Sequence, residues 1–181
     1  MQSWPRTRKN DEQKYGWHWL TQKWFEDPAG NEQEFTTYSR PGSSSVAVIA
    51  LTPEHNVVIA RQFRPGPEKV LEEIPGGAVD DGEDLEAAAI RELHEETGYS
   101  PAHIEYLGEV CTDAYTNDRS HFYLATGCVQ NAEPHPDDGE FIDVVTISID
   151  ELFANARNVK MSDVGAVLLA YEKLTQIQKE M

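Results

Sequence analysis

GGAVDDGEDLEAAAIRELHEETGY, residues 76–99, passes from a break in the chain into a helix and gathers three carboxylates where local physics disfavours them. Pro75-Gly76-Gly77 ends a short strand, Val70 to Ile74, and removes two Cβ atoms from the backbone that follows. The spacing then predicts a helix from about Glu83 to Thr97, with Leu85, Ala89 and Leu93 as its buried stripe and Gly98 as a left-handed C-terminal residue. Glu92, Glu95 and Glu96 lie at i, i+3 and i+4, so like charges repel along one side of that helix. They also crowd its C-terminal end, where the helix dipole opposes anions. One reading is a solvated acidic face. The other is a hard divalent cation held by two of the carboxylates, with a backbone carbonyl from the glycine turn in reach. Arg91 can pair with Glu95 at i, i+4 and leave Glu92 and Glu96 for the cation.

On the N-terminal side, Met1 to Tyr15 is polar and basic and reads as a weakly ordered arm. Gly16 to Ser39 alternates aromatic and polar residues around Asp27-Pro28-Ala29-Gly30-Asn31, which predicts a β-hairpin. Ser43 to Leu51 and Val57 to Phe63 are β-rich runs joined by Thr52 to Asn56, read as a second hairpin. On the C-terminal side, strands are expected at Ile104 to Cys111, His121 to Cys128 and Phe141 to Ser148, then helices at Asp150 to Ala156 and Asp163 to Lys179. In the last helix Val164, Val167, Leu168, Tyr171 and Leu174 form one apolar face, read as packing. The order of elements indicates an α+β fold around sheets.

Composition narrows the function. Fifteen Lys and Arg against thirty-two Asp and Glu give a net charge of −17, which argues against nucleic acid as the main partner. No apolar run approaches the roughly 18 residues of a membrane span, and the N-terminus lacks a signal-peptide core, so a cytoplasmic protein is expected. Cys111 and Cys128, the two cysteines of the chain, are too few for a disulfide framework or a thiolate metal cluster.

Gly77, five residues, Glu83, seven residues, then Arg91-Glu92-Leu93-His94-Glu95-Glu96-Thr97-Gly98-Tyr99 resembles the complete signature of the Nudix hydrolase family, nine restricted positions over 23 residues. So many matched positions leave the solvated-face reading behind. The resemblance implies an α/β/α sandwich with mixed β-sheets, flanking helices and an N-terminal antiparallel β-hairpin. It also implies hydrolysis of a nucleoside diphosphate linked to another group, with Mg²⁺, or Mn²⁺ in its place, on the pyrophosphate. Carried over, Glu92, Glu96 and the carbonyl of Gly76 are metal ligands, Glu95 is a further ligand or catalytic group, and Arg91, Gly77 and Gly98 are structural. Glu83 is read either as a metal or orienting group or as a partner of the helix dipole.

Arg61 to Pro65, Glu72 to Gly77 and Asp137 to Ile142 are further similar to the ADP-ribose and nucleotide-sugar pyrophosphatase branch. In that branch the last of these loops supplies a catalytic glutamate. Glu140 matches it by position, with Asp137 and Asp138 as neighbouring alternatives. The resemblance also implies a homodimer in which the hairpin closes the partner's site, with Trp17 and Phe35 stacking on the base and Arg40, Arg64 and Glu73 binding substrate. It divides the chain into an arm (1–15), a dimer-exchanged hairpin (16–42) and a hydrolase domain (43–181). Ala114 or Tyr115 stands where ADP-ribose enzymes often carry a proline, which leaves room for ADP-, UDP- or GDP-linked hexoses. A dinucleoside polyphosphate or damaged-nucleotide hydrolase, and a sensor that binds a nucleotide sugar without cleaving it, remain as alternatives.

Overall fold

The computed structural model describes residues 2–16, 18–137 and 139–180. The chain folds as two compact units, Met1–Ser44 with Cys111–Arg119, and Ser45–Val110 with Ser120–Met181. In the first unit, β1 (Asp11–Tyr15), β2 (His18–Glu26) and β3 (Glu32–Tyr38) form an antiparallel sheet in the order β1-β2-β3. The β2–β3 hairpin expected from the aromatic alternation is present. Its turn is closed by Asp27, whose carboxylate accepts the N–H groups of Ala29 and Asn31 at 2.9 Å. The arm differs from expectation: Asp11–Tyr15 is a strand, because the free edge of β2 takes up its backbone hydrogen bonds although the side chains stay exposed. The segment 111–119 runs beside β3, with Tyr38 N–H donating to the Tyr115 carbonyl and Asn117 N–H to the Tyr38 carbonyl.

The second unit carries β4 (Ser44–Ala50), β5 (Val57–Arg64), β6 (Lys69–Glu73), β7 (Gly76–Ala78), α1 (Leu85–Thr97), β8 (Tyr99–Ser100), β9 (His103–Val110), β10 (Arg119–Thr126), β11 (Val129–Gln130), β12 (Ile142–Ile147), α2 (Ile149–Arg157) and α3 (Val164–Glu180). Its sheets run β7-β4-β10-β9 and β12-β5-β6, with β8 and β11 as a short pair. The central strands are buried on both faces. Ala47, Ile49, Leu51, Val57, Ile59, Phe122 and Leu124 enter one core with α2 and α3, whereas Val46, Val48, Ala50, Val58, Tyr123 and Ala125 enter a second core with α1. Helices on both sides of sheets give the α+β sandwich expected, and burial of both faces explains the unbroken apolar run of β4.

Two expectations are corrected. β4 and β5 are not a hairpin: they belong to different sheets and, among the described residues, pair through the isolated bridge Leu51↔Val57 rather than a ladder. The edges of β5 are occupied by β12 and β6, and those of β4 by β7 and β10. On α3 the buried face is Ala166, Val167, Ala170 and Leu174, while Val164, Tyr171 and above all Leu168, 76% exposed, lie outside. Small alanines let the helix axis come close to the sheet, and that closeness outweighs the pull of the larger side chains. The displaced side instead packs toward α2, with the Phe153 and Tyr171 rings 5.2 Å apart.

Candidate active site

The site is built on α1 and the glycine strand before it. Asp84 caps α1 by accepting the N–H groups of Glu86 and Ala87, and Gly98 closes it at φ 72°, donating to the His94 carbonyl. The buried face of the helix includes Ala89, Leu93 and Glu96, so Glu96 points the way of the core while Glu92 and Glu95 stand toward the rim. Glu96 is 3% exposed and accepts the Gly76 N–H at 2.9 Å. Burial, reinforced by the carboxylates of Glu92 and Glu140, pushes it up to about 8. Burial likewise raises Glu92, against the pull of Arg91.

Arg91 organises the rim. Its Nε and Nη2 grip Glu83 at 2.8 and 3.0 Å, Nη1 donates to Glu92 at 2.8 Å and Glu95 at 2.9 Å, and Nη2 also reaches the Ala78 carbonyl. The expected Arg91–Glu95 pair is therefore one part of a larger fork. Glu83 is a partner of Arg91, which holds its carboxyl down at about 2 with help from the Asp80 N–H. A Cβ on Gly77 would sit 2.6 Å from the Glu92 carboxyl group, so a side chain there would push that carboxylate out of its place.

Glu140 reaches the same place from a distant loop. That loop is pinned to the end of α1 by Asn131 N–H and Ala132 N–H to the Gly98 carbonyl and by His135 N–H to the Glu95 carbonyl. A Cβ on Gly98 would lie 2.1 Å from the Ala132 carbonyl oxygen, so this glycine serves both the helix end and the loop. Glu92, Glu95, Glu96, Asp137 and Glu140 consequently line one pocket of about 370 Å³ together with Arg91 and Gly77. Asp138, the other neighbour of Glu140, lies outside the described residues.

The donor set is what a divalent cation of the Mg²⁺ type takes: oxygen ligands only, with more negative charge than Arg91 neutralises. Among the described residues no three such side chains close around one point as they stand, since Arg91 draws Glu92 and Glu95 to itself. Gly76 lines a neighbouring cavity of about 200 Å³ that shares Gly77 with the carboxylate pocket. Arg64 lines that cavity too. Its Nε donates to Glu73 at 2.5 Å, and Glu73, 1% exposed, also accepts from Ser162. Glu73 thus orients Arg64 and reaches a ligand only through it. Sequence reading passed over Asp163, half-buried on the wall of this cavity, and Ser162. Glu73, which binds Ser162, is some ninety residues away, and no local pattern marks either residue.

In the other unit, Phe35 packs against Phe25 and Trp4, with ring centroids 6.0 and 6.3 Å apart. Arg40 is exposed there, and Trp17 lies outside the described residues.

Comparison with known proteins shows the family. The NUDIX domain family matches residues 42–165. The methanol dehydrogenase activator of Bacillus methanolicus is 33% identical over 78% of this chain and 76% of its own. The ADP-sugar pyrophosphatase of Mus musculus is 33% identical over 81% and 80%. A crystal structure of an ADP compounds hydrolase superposes with a TM-score of 0.74 over 93% of this chain and 96% of that one, at 18% identity, which speaks for the fold.

Proposed function

The chain belongs to the Nudix family, whose members hydrolyse phosphoanhydride bonds, and from that premise we propose that it is a Mg²⁺-dependent pyrophosphatase of nucleoside diphosphate sugars. ADP-ribose and ADP-, UDP- or GDP-linked hexoses are its substrate class, and the products are a nucleoside monophosphate and a sugar phosphate. The observation that carries this reading is the gathering of Glu92, Glu95, Glu96 and Glu140 around one pocket beside Arg91. The name of the mouse relative supports the sugar-linked substrate.

Glu92 and Glu96, with the Gly76 carbonyl, would hold the cation and Glu95 would complete the set. When bound, the cation neutralises the diphosphate and makes a water more acidic. Glu140 takes a proton from the attacking water as its oxygen bonds to phosphorus, and the bridging P–O bond breaks toward the departing phosphate. Arg64, oriented by Glu73, faces the phosphates with a forked cation suited to their oxygens. Arg91 and Glu83 hold the rim carboxylates in place. Arg40 and the aromatic residues Trp17 and Phe35 contribute the base end across a homodimer, and the enzyme works in the cytoplasm.

The test is hydrolysis of ADP-ribose, ADP-glucose, UDP-glucose, GDP-mannose and diadenosine polyphosphates, with products resolved by chromatography. Nucleoside monophosphate plus sugar phosphate is expected, abolished by EDTA. Glu92→Gln and Glu140→Gln should each lose about 10²- to 10⁴-fold in turnover while remaining folded. Cleavage confined to the polyphosphates, or tight binding with no turnover, overturns the proposal in favour of a different hydrolase or a sensor.

A further inference from the structure

The second cavity contains a carboxylate for which the proposed reaction has so far no use. We propose that Asp163 is a specificity-determining residue, accepting hydrogen bonds from the hydroxyls of one sugar ring seated in this cavity while the diphosphate lies at Gly77 beside the carboxylate pocket. The inference rests on the nucleotide-sugar reading above and deepens it.

Three observations lead there. The cavity adjoins the reaction site, since Gly77 lines both, so a group one bond from the diphosphate can enter it. Its volume of about 200 Å³ falls below the ~300–1,000 Å³ of clefts that take drug-sized ligands, which suits one ring better than a whole nucleoside. Its wall carries groups a sugar can use, with the hydroxyls of Ser45 and Ser120, 3.1 Å from each other, and Asp163 for the ring hydroxyls, while the core residues Phe122 and Ile74 close it from behind.

Donor arithmetic then singles out Asp163. Glu73 and Asp163 lie near one guanidinium, Arg64, and one hydroxyl, Ser162. Arg64 gives its Nε–H to Glu73 and acts on Asp163 through charge alone, and Ser162, the side chain that hydrogen-bonds Asp163, has a single hydrogen that Glu73 also claims. Asp163 therefore keeps acceptor capacity on the cavity wall that the protein does not fill, and a vicinal diol supplies two donors to such a carboxylate. Burial and the neighbouring Glu73 charge, which push Asp163 up to about 7, agree with a carboxyl short of donors. Hydroxyls of this kind come from the terminal sugar or from the ribose of the nucleoside, and the experiment separates the two.

The experiment measures kcat and KM with Mg²⁺ for the wild type, Asp163→Ser and Asp163→Asn. Each acts on ADP-ribose, on an analogue lacking hydroxyls of the terminal ribose, and on one lacking the 2′- and 3′-hydroxyls of the adenosine. Serine and asparagine both suit the position before α3, so the helix start is preserved, and circular dichroism checks it. The wild type should discriminate about tenfold or more against one analogue, through KM with kcat nearly unchanged. In Asp163→Ser that ratio should fall to about one, and in Asp163→Asn it should be intermediate, because the amide keeps one acceptor. The analogue affected identifies the ring. The inference is overturned if the wild type discriminates against neither analogue, or if both variants keep its full discrimination. Failure of the wild type to cleave any nucleotide sugar would instead remove the functional reading itself, and this inference with it.

Discussion

Two glutamates of one signature are driven in opposite directions by their surroundings. Glu83 sits in the fork of Arg91 and is held down at about 2, whereas Glu96, thirteen residues on, is desolvated on the inner face of α1 and pushed up to about 8. The consequence for Glu96 is a proton bound by the folded chain and released by the unfolded one between about pH 4.5 and pH 8. Stability of the metal-free protein should therefore be highest at the acid end of that window, fall as pH rises through it, and level off above about 8. Asp163, also raised, adds in the same sense up to about 7. Mg²⁺ competes for the Glu96 carboxylate, so its binding should tighten with pH up to about 8 and should raise the melting temperature most at alkaline pH. Thermal unfolding in EDTA and in Mg²⁺ between pH 5.5 and 9 checks this. Glu96→Gln should weaken the stability dependence to the part Asp163 supplies below about pH 7 and flatten that of Mg²⁺ binding, and a metal-free protein equally stable across the range would contradict the assignment.

At the scale of elements, α1 and the loop that brings Glu140 are one device, because Gly98 ends the helix and at the same time accepts the loop. Gly98→Ala forces a side chain into φ 72° and against the Ala132 carbonyl 2.1 Å away. It should cost about 1–3 kcal/mol in a denaturant titration. It should also lower turnover beyond that loss, because Glu140 shifts with its anchor; a stable variant with full activity would uncouple the two. Most of the helix half of this device was legible in the sequence: stripe, left-handed glycine and paired carboxylates are all set within 24 residues, whereas the Asp84 cap escapes a reading that starts the helix at Glu83. Glu140 was legible only through family resemblance, since the bonds from residues 131–135 to Gly98 and Glu95 join distant parts of the chain. The same limit explains the misread elements. Periodicity marks the apolar side of α3 but not which part of it the sheet receives, and Ala166 and Ala170 win through closeness of approach rather than size. The runs of β4 and β5 look like a hairpin until the neighbours competing for their edges, β7, β10, β12 and β6, are known.

At the scale of the whole molecule, a chain of net charge −17 acting on a doubly charged diphosphate must overcome its own field. The local answer lies in the site, where Arg64 and a bound cation would offset the carboxylates that line it. Association meets the same field without that remedy: two copies bring charges of one sign together, so apolar surface has to outweigh the repulsion. The β1–β2–β3 sheet carries the aromatic surplus for such an interface, with Phe25, Phe35 and Trp4 clustered and Arg6 and Arg8 over the rings of Phe25 and Trp24. If this sheet joins two copies, light scattering should give twice the chain mass of 20.4 kDa at about 150 mM salt, where charges are screened beyond about 8 Å. Lowering the salt lengthens that reach and should weaken the dimer, opposite to the response of an interface held by ion pairs. Phe25→Ala and Phe35→Ala should weaken it at every salt concentration while leaving the cores of the second unit intact. A particle of single-chain mass under all these conditions would remove the dimer from the proposal, and with it the role of Phe35 across the interface.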